Sequence, residues 1–188
     1  MWNMPMDKRA TGWLDATFHL KFRELFLHAA ARELLICPAY CLMPDHFHLL
    51  WMGLRRESDQ LNAAQFLRKQ VNRLLAPRKL QSQAHDHVLR EDERQRNAFS
   101  KTCFYILANP VRAELVEKME DWPFSGAVAP GFPTLHPFQA DYWEMFWKIY
   151  VKVREAEPPA PPMPLLRGDA WPTPSQPQLR LDCVQPRL

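Results

Sequence analysis

A mixed α/β domain is expected from three patterns in this chain of 188 residues. Residues 14–35 repeat apolar side chains (Leu14, Phe18, Phe22, Leu25, Phe26, Ala29, Ala30) at three- and four-residue spacing, as an amphipathic helix does. Residues 39–43 and 46–52 are two apolar runs joined through Pro44-Asp45, the pattern of a tight hairpin. Residues 59–75 and 91–108 then return to a helical period, so helices alternate with strands.

The elements follow in order. Residues 2–6 alternate and fit a short first strand, and Gly12 marks a turn before the first helix. Cys37-Pro38 breaks that helix, because proline cannot donate in its interior. Gly53 ends the second hairpin strand. Ser58 or Asp59 caps the next helix, whose apolar face is Leu61, Ala64, Phe66, Leu67, Val71, Leu74 and Leu75, and Pro77 ends it. Residues 80–89 are polar, with strand character near their end. On the helix at 91–108, Phe99, Thr102, Cys103 and Ile106 share a face, and Pro110 stops or kinks it. Residues 111–119 fit another short helix. Trp122 to Gly126 and Pro130 to Pro133 are expected as loops. Residues 142–153, with Trp143, Phe146, Trp147 and Tyr150, form a last aromatic helix.

Hydrophobic residues make up 47% of the chain, enough for a packed core. Nine of the 18 prolines lie beyond Glu155, which separates a catalytic-size domain, 1–154, from a proline-rich tail, 155–188, expected to be disordered. A formal charge of +3 and a pI near 8.7 permit nucleic-acid binding without arguing for it. No run of about 18 apolar residues is present, so no membrane span is expected. The first residues lack the apolar core of a signal peptide, and a cytoplasmic location is expected. In that compartment Cys37, Cys41, Cys103 and Cys183 are thiols. The four-residue spacing of Cys37 and Cys41 occurs in some zinc sites, but both also fit a buried strand as small apolar residues.

Two stretches carry candidate chemistry. His46 and His48 stand two apart on a strand, so both imidazoles project from one face and can converge on a divalent ion. A lone His-x-His is more often one satisfied core residue and one surface residue. Here the pair opens a very apolar strand, which does not present two polar rings to its core without a reason. A second pair, His85 and His87, flanks Asp86 in a polar stretch. The four histidines together make a zinc site possible in principle, although structural zinc sites usually also draw on cysteine.

Tyr105 and Asn109 are four apart and share a helix face, with Lys101 one turn the other way. Asn109 offers a carbonyl oxygen suited to a hard cation such as Mg2+, although its place before Pro110 puts it near the helix end. Tyr105 lies off the apolar face and would sit at the edge of the core with its hydroxyl in water. A phenol is a weak nucleophile at neutral pH and needs a cation nearby to assist attack on a phosphate. Tyrosine and metal are therefore required together.

These residues resemble a known family. Met43-Pro44-Asp45-His46-Phe47-His48-Leu49-Leu50 is similar to the histidine–hydrophobic–histidine motif of the HUH single-tyrosine transposases. Tyr105-Ile106-Leu107-Ala108-Asn109-Pro110-Val111-Arg112-Ala113-Glu114-Leu115-Val116 resembles their nucleophile segment, and Trp122-Pro123-Phe124-Ser125 the stretch that follows it. Asp86-His87-Val88-Leu89-Arg90 is similar to the segment before the tyrosine helix in the branch called REP-associated tyrosine transposases. The four stretches occur in order between about residues 17 and 125.

The resemblance implies an α/β sandwich with a central antiparallel sheet of ferredoxin-like character, flanked by helices, with the catalytic tyrosine on a helix. It implies that Tyr105 attacks a phosphodiester of single-stranded or hairpin DNA, leaving a 5′-phosphotyrosine and a free 3′-hydroxyl. By position His46 and His48 are the metal ligands and Asn109 the third, for Mg2+ or Mn2+, in a monomer or homodimer associated with the nucleoid. Glu114 stands where the family commonly has glycine, and the first strand is short.

Arg55, Arg56, Arg68, Lys69, Arg73, Arg78 and Lys79 concentrate in one third of the chain. Singly they read as solvated helix or loop residues; as a group they could track a phosphate backbone. Arg90, Lys101 and Arg112 lie near the tyrosine helix and are further candidates for DNA contact. The leading expectation is a metal-dependent DNA strand transferase. The rivals are a domesticated binder of the same fold that no longer cleaves, and a zinc-dependent hydrolase, which leaves the Tyr105 segment unexplained.

Overall fold

The computed structural model describes residues 1–82, 85–86 and 96–155. Among them, five strands form one sheet: β1 (Trp2–Pro5), β2 (Leu35–Met43), β3 (His46–Gly53), β4 (His85–Asp86) and β5 (Ser125–Val128). Their order is β4-β1-β3-β2-β5, and all neighbours are antiparallel. Helices α1 (Ala16–Arg32) and α2 (Gln60–Leu75) complete a β-α-β-β-α-β unit, and α3 (Arg96–Leu107), α4 (Asn109–Arg112) and α5 (Tyr142–Glu155) follow. Strand order 4-1-3-2 within that unit is the ferredoxin-like arrangement. The 155–188 stretch lies outside the described residues, apart from Glu155 at the end of α5.

Alternation along β3 sorts the two faces of the sheet. Phe47, Leu49 and Trp51 join Trp2, Met4, Tyr40 and Leu42 beneath Phe18, Phe22 and Phe26 of α1 and Ala64, Leu67 and Val71 of α2. His46, His48 and Leu50 take the other face. There Ala39, Cys41, Met43 and Leu50 pack against Cys103, Ile106 and Leu107 of α3. Further along, Ile36, Leu54 and Ala127 pack against Phe146 and Ile149 of α5. Both faces are covered, which explains why all nine residues of β2 are buried.

The caps of α1 and α2 follow local rules. Asp15 accepts from the Phe18 N–H at 2.7 Å, and Asp59 accepts from the Asn62 N–H at 2.9 Å, each satisfying a backbone donor left open at a helix start.

Several boundaries differ from those expected. Helix α1 stops at Arg32, because Leu34 takes a left-handed φ of 53° and turns the chain into β2. That strand runs through Pro38 instead of starting after it. Its register shifts between Ile36 and Ala39, so a bulge absorbs the missing donor, and the Pro38 carbonyl accepts from the Tyr142 hydroxyl. The bulge also sends Cys37 and Cys41 into cores on opposite faces. The two thiols are therefore not brought together; burial raises Cys37 and pushes Cys41 up to about 12.

Strand β1 lies inside the sheet, between β3 and β4, so its shortness does not leave an open edge there. Ser125 and Gly126, expected as loop, instead open β5, which runs to Val128 on the outer edge of β2. The preceding segment is pinned to the same strand: Trp122 Nε1 donates to the Leu42 carbonyl, and the Leu42 N–H to the Phe124 carbonyl, both at 2.9 Å. Gly126 opposes Tyr40, and a Cβ there would stand 2.7 Å from the tyrosine hydroxyl.

The short helix expected over 111–119 is instead the four-residue α4, with Pro110 in its first turn. The Leu115 N–H donates to the Pro110 carbonyl and the Glu114 N–H to that of Val111. This is the Schellman pairing, and it places Glu114 at the left-handed position, with φ 56°. The glycine common at that point in the resembling family has its physical reason here.

Candidate nucleophile and metal-ligand site

The site is built on the face of the sheet that α3 covers. The two-residue turn at Pro44-Asp45 starts β3 with His46 facing Met43, and the pleat brings His48 out on the same side. Their Nε2 atoms are 3.0 Å apart. His48 is buried, with 6% of its surface exposed, while His46 is partly accessible.

Asp45 sets the chemistry of His46. Its Oδ1 lies 2.5 Å from His46 Nδ1, and Arg9 Nη1 lies 3.0 Å from its other oxygen. Burial alone would raise this carboxyl; the hydrogen bond from His46, the charge of that ring and Arg9 override it and hold Asp45 below its ordinary value. An ionised carboxylate only accepts, so His46 donates from Nδ1, which in the neutral ring leaves the lone pair on Nε2. His48 is held neutral: burial, then His46 and Arg112, lower it to about 4. With both rings in the neutral form that a cation requires, their Nε2 lone pairs can turn to one point.

The separation fits a divalent ion. Adjacent ligands of an octahedral ion at about 2.1 Å stand about 3.0 Å apart, whereas tetrahedral zinc with bonds of about 2.05 Å spreads them to about 3.3 Å. Among the described residues, no group of three or more His, Cys, Asp or Glu side chains could hold a metal. Among the described residues, a third protein ligand would come from another residue type, such as the Asn109 amide.

Helix α3 brings Tyr105 to the pair. Cys103, Ile106 and Leu107 face the sheet, which turns Tyr105 outward with 42% of its surface exposed. Its ring centroid lies 6.3 Å from that of His48 at an interplanar angle of 75°. Asn109 begins α4 one turn on, not at a simple helix end. Its Nδ2 donates to the Tyr105 and Ile106 carbonyls at 3.0 and 3.1 Å, closing off the end of α3 and leaving the amide oxygen as the end turned away from the helix. The guanidinium of Arg112 lies 4.5 Å from the Tyr105 ring centroid.

The basic candidates separate. Arg112 is in the site, and Lys101 is exposed on α3. Arg68, Lys69 and Arg73 belong to α2, which covers the opposite face of the sheet. Arg68 donates to the Ser82 carbonyl, and Arg73 to Gln70 Oε1 at 3.2 Å. Arg55 and Arg56 follow the far end of β3, roughly 23 Å along the strand from His46 at about 3.3 Å per residue. There they line a cleft of about 440 Å³ with Glu57, Tyr150 and Arg154. Arg90 and His87 lie outside the described residues.

Asp45, which the sequence marks only as a turn residue, joins the candidate site through its contact with His46. The signal was its place directly before the first histidine, within reach of that ring's Nδ1. Arg112, expected as a DNA contact, stands against the Tyr105 ring.

No family model matches the chain. A Haemophilus influenzae protein named as a REP-associated tyrosine transposase is 28% identical, over 46% of this chain and 56% of the relative. The chain thus spans about half the length of that curated relative. The solved structure of a REP-associated tyrosine transposase bound to a REP hairpin aligns with a TM-score of 0.56 at 21% identity, covering 66% of this chain and 73% of the other. The two share a fold.

Proposed function

We propose that this chain, a relative of the REP-associated tyrosine transposases, cuts and rejoins single-stranded DNA beside hairpin or repeat sequences, using Tyr105 as nucleophile. The observation that carries the proposal is an exposed tyrosine whose ring centroid lies 6.3 Å from that of His48, beside the convergent Nε2 atoms of His46 and His48. No helix among the described residues is long and apolar enough to cross a membrane; the reading places the chain with the DNA, in the nucleoid.

In the proposed step Tyr105 Oη bonds to phosphorus as the P–O3′ bond breaks. The phenolic proton is lost and the 3′ oxygen takes one up, giving a 5′-phosphotyrosine and a 3′-hydroxyl. The phosphodiester energy is kept in the protein–DNA bond, so a 3′-hydroxyl can reverse the step without another energy source. His46 Nε2, His48 Nε2 and Asn109 Oδ1 would hold Mg2+ or Mn2+, which supplies polarisation of the phosphate and takes up charge on the leaving oxygen. Asp45 orients His46. Arg112 holds the tyrosine ring and adds positive charge where phosphate must approach. Lys101 extends that charge along α3. The basic residues of α2 and the cleft by Arg55 and Arg56 would meet DNA only away from the cut.

The test is incubation with labelled single-stranded hairpin DNA and Mg2+ or Mn2+, alongside Tyr105→Phe, on a denaturing gel. A covalent adduct that needs both the tyrosine and the metal is expected. Retained DNA binding with no adduct across a broad hairpin set would instead mark a non-cleaving binder. One tightly held zinc per chain would favour the hydrolase.

A further inference from the structure

Two buried polar atoms without a hydrogen-bond partner stand in adjacent strands of the site: Asn3 Oδ1 and His48 Nδ1. Asn3 on β1 and His48 on β3 are direct register partners. Directly opposed residues project from the same face, with Cβ atoms about 5 Å apart. Side-chain rotation can therefore bring the Asn3 amide to His48 Nδ1, and its oxygen or its N–H answers that atom according to the ring's tautomer.

We propose that Asn3 is the positioning residue for His48, its side-chain amide holding the Nδ1 edge of the ring so that Nε2 faces the cation site. This rests on the reading of the histidine pair as metal ligands. Asp45 already fixes His46 with its proton on Nδ1. With His46 neutral and no cation present, a hydrogen bond across the 3.0 Å between the two Nε2 atoms has His48 donating from Nε2, which leaves a lone pair on its Nδ1 for the Asn3 N–H. When both Nε2 lone pairs are needed for a cation, the His48 proton sits on Nδ1 and Asn3 Oδ1 accepts it. An amide carries donor and acceptor on one rotor and serves both tautomers. Aspartate serves only the second, and leucine serves neither.

The experiment uses the full chain and its Asn3→Leu and Asn3→Asp variants. Mn2+ binding is measured by calorimetry, the His48 tautomer by imidazole 15N shifts without metal, and folding by thermal unfolding. Asn3→Leu is expected to bind Mn2+ about 10- to 100-fold more weakly while its His48 Nδ1 resonance moves. Asn3→Asp is expected to bind at least as tightly as the parent and to carry the His48 proton on Nδ1. A folded Asn3→Leu with parental Mn2+ affinity and unmoved His48 shifts would overturn the proposal. Should Asn3→Leu fail to fold, an unmoved His48 tautomer in Asn3→Asp does the same. A parent chain that takes up no Mn2+ counts against the metal reading of the site, and the Nδ1 shift still decides the Asn3 contact.

Discussion

The Arg112 guanidinium lies 4.5 Å from the centroid of the Tyr105 ring. Arg112 ends the four-residue α4, seven positions after Tyr105, and residues seven apart on a helical path share a side, so its long side chain reaches back over the ring. Arg112 also contributes to keeping His48 neutral. Its removal should loosen the ring and withdraw a cation from the phosphate path; between two exposed side chains the stacking alone contributes about 0.5–1 kcal/mol. Single-turnover adduct formation by Arg112→Ala should fall at least tenfold, and Arg112→Lys should recover it only in part, because ammonium lacks the planar face. Adduct formation by Arg112→Ala at the parental rate would remove Arg112 from the site.

Asp45 should matter to metal uptake more than to folding. It stands at a turn, is partly exposed, and fixes the proton on His46. Asp45→Ala should weaken Mn2+ binding about 10- to 100-fold, as loss of a carboxylate behind a ligating imidazole does, read by calorimetry beside a thermal melt. Unchanged affinity would show that His46 needs no help in choosing its tautomer.

Stability should depend on pH through two histidines. Burial is the main cause that lowers both His48 and His19 to about 4; His46 and Arg112 add to it for the first, Arg23 and His136 for the second. An ordinary imidazole titrates near 6.5. Between these values the unfolded chain binds more protons than the folded one, so the stabilisation is fully present above about 6.5 and is lost as pH falls towards about 4. For buried His48 the full span corresponds to about 3 kcal/mol. Urea unfolding at pH 7.5, 5.5 and 4.5 should show the decline, and His48→Gln should flatten part of it. A variant with the parental slope would contradict the assignment to His48.

Glu114 holds a φ of 56° at the end of α4. A residue with a Cβ pays about 1 kcal/mol or more there relative to glycine. Glu114→Gly should therefore stabilise the folded chain, offset by the greater freedom of glycine when unfolded. A net gain of up to about 1 kcal/mol is expected in urea unfolding, and a loss would mean that the glutamate side chain stabilises this turn.

Much of the site was legible because it obeys simple periods. His46 and His48 are two apart on a strand and share a face; Tyr105 and Asn109 are four apart in the chain and stay on one side even across the break at Ala108. The fold was legible in its helices and its hairpin for the same reason. What local pattern could not carry was pairing. Ser125 to Val128 has too few apolar residues to announce a strand, and becomes one only because β2 offers an edge. Pro38 breaks a helix by rule, but a bulge lets it sit within β2. The basic residues of α2 looked close to the site in the chain, yet α2 packs on Phe47 and Leu49, which alternate with the histidines and so mark the opposite face. Arg55 and Arg56 were separated from the histidines by strand length alone. Asp45 was hidden by its role in the turn.

The most direct measurement is to digest the protein–DNA adduct and locate the nucleotide-bearing peptide by mass spectrometry. Tyr105 is predicted to carry the phosphate through its phenolic oxygen, in samples containing Mg2+ or Mn2+ and not in those treated with chelator. A phosphate on any other residue, or cleaved DNA with no protein attached, would contradict the assignment of Tyr105 as the nucleophile.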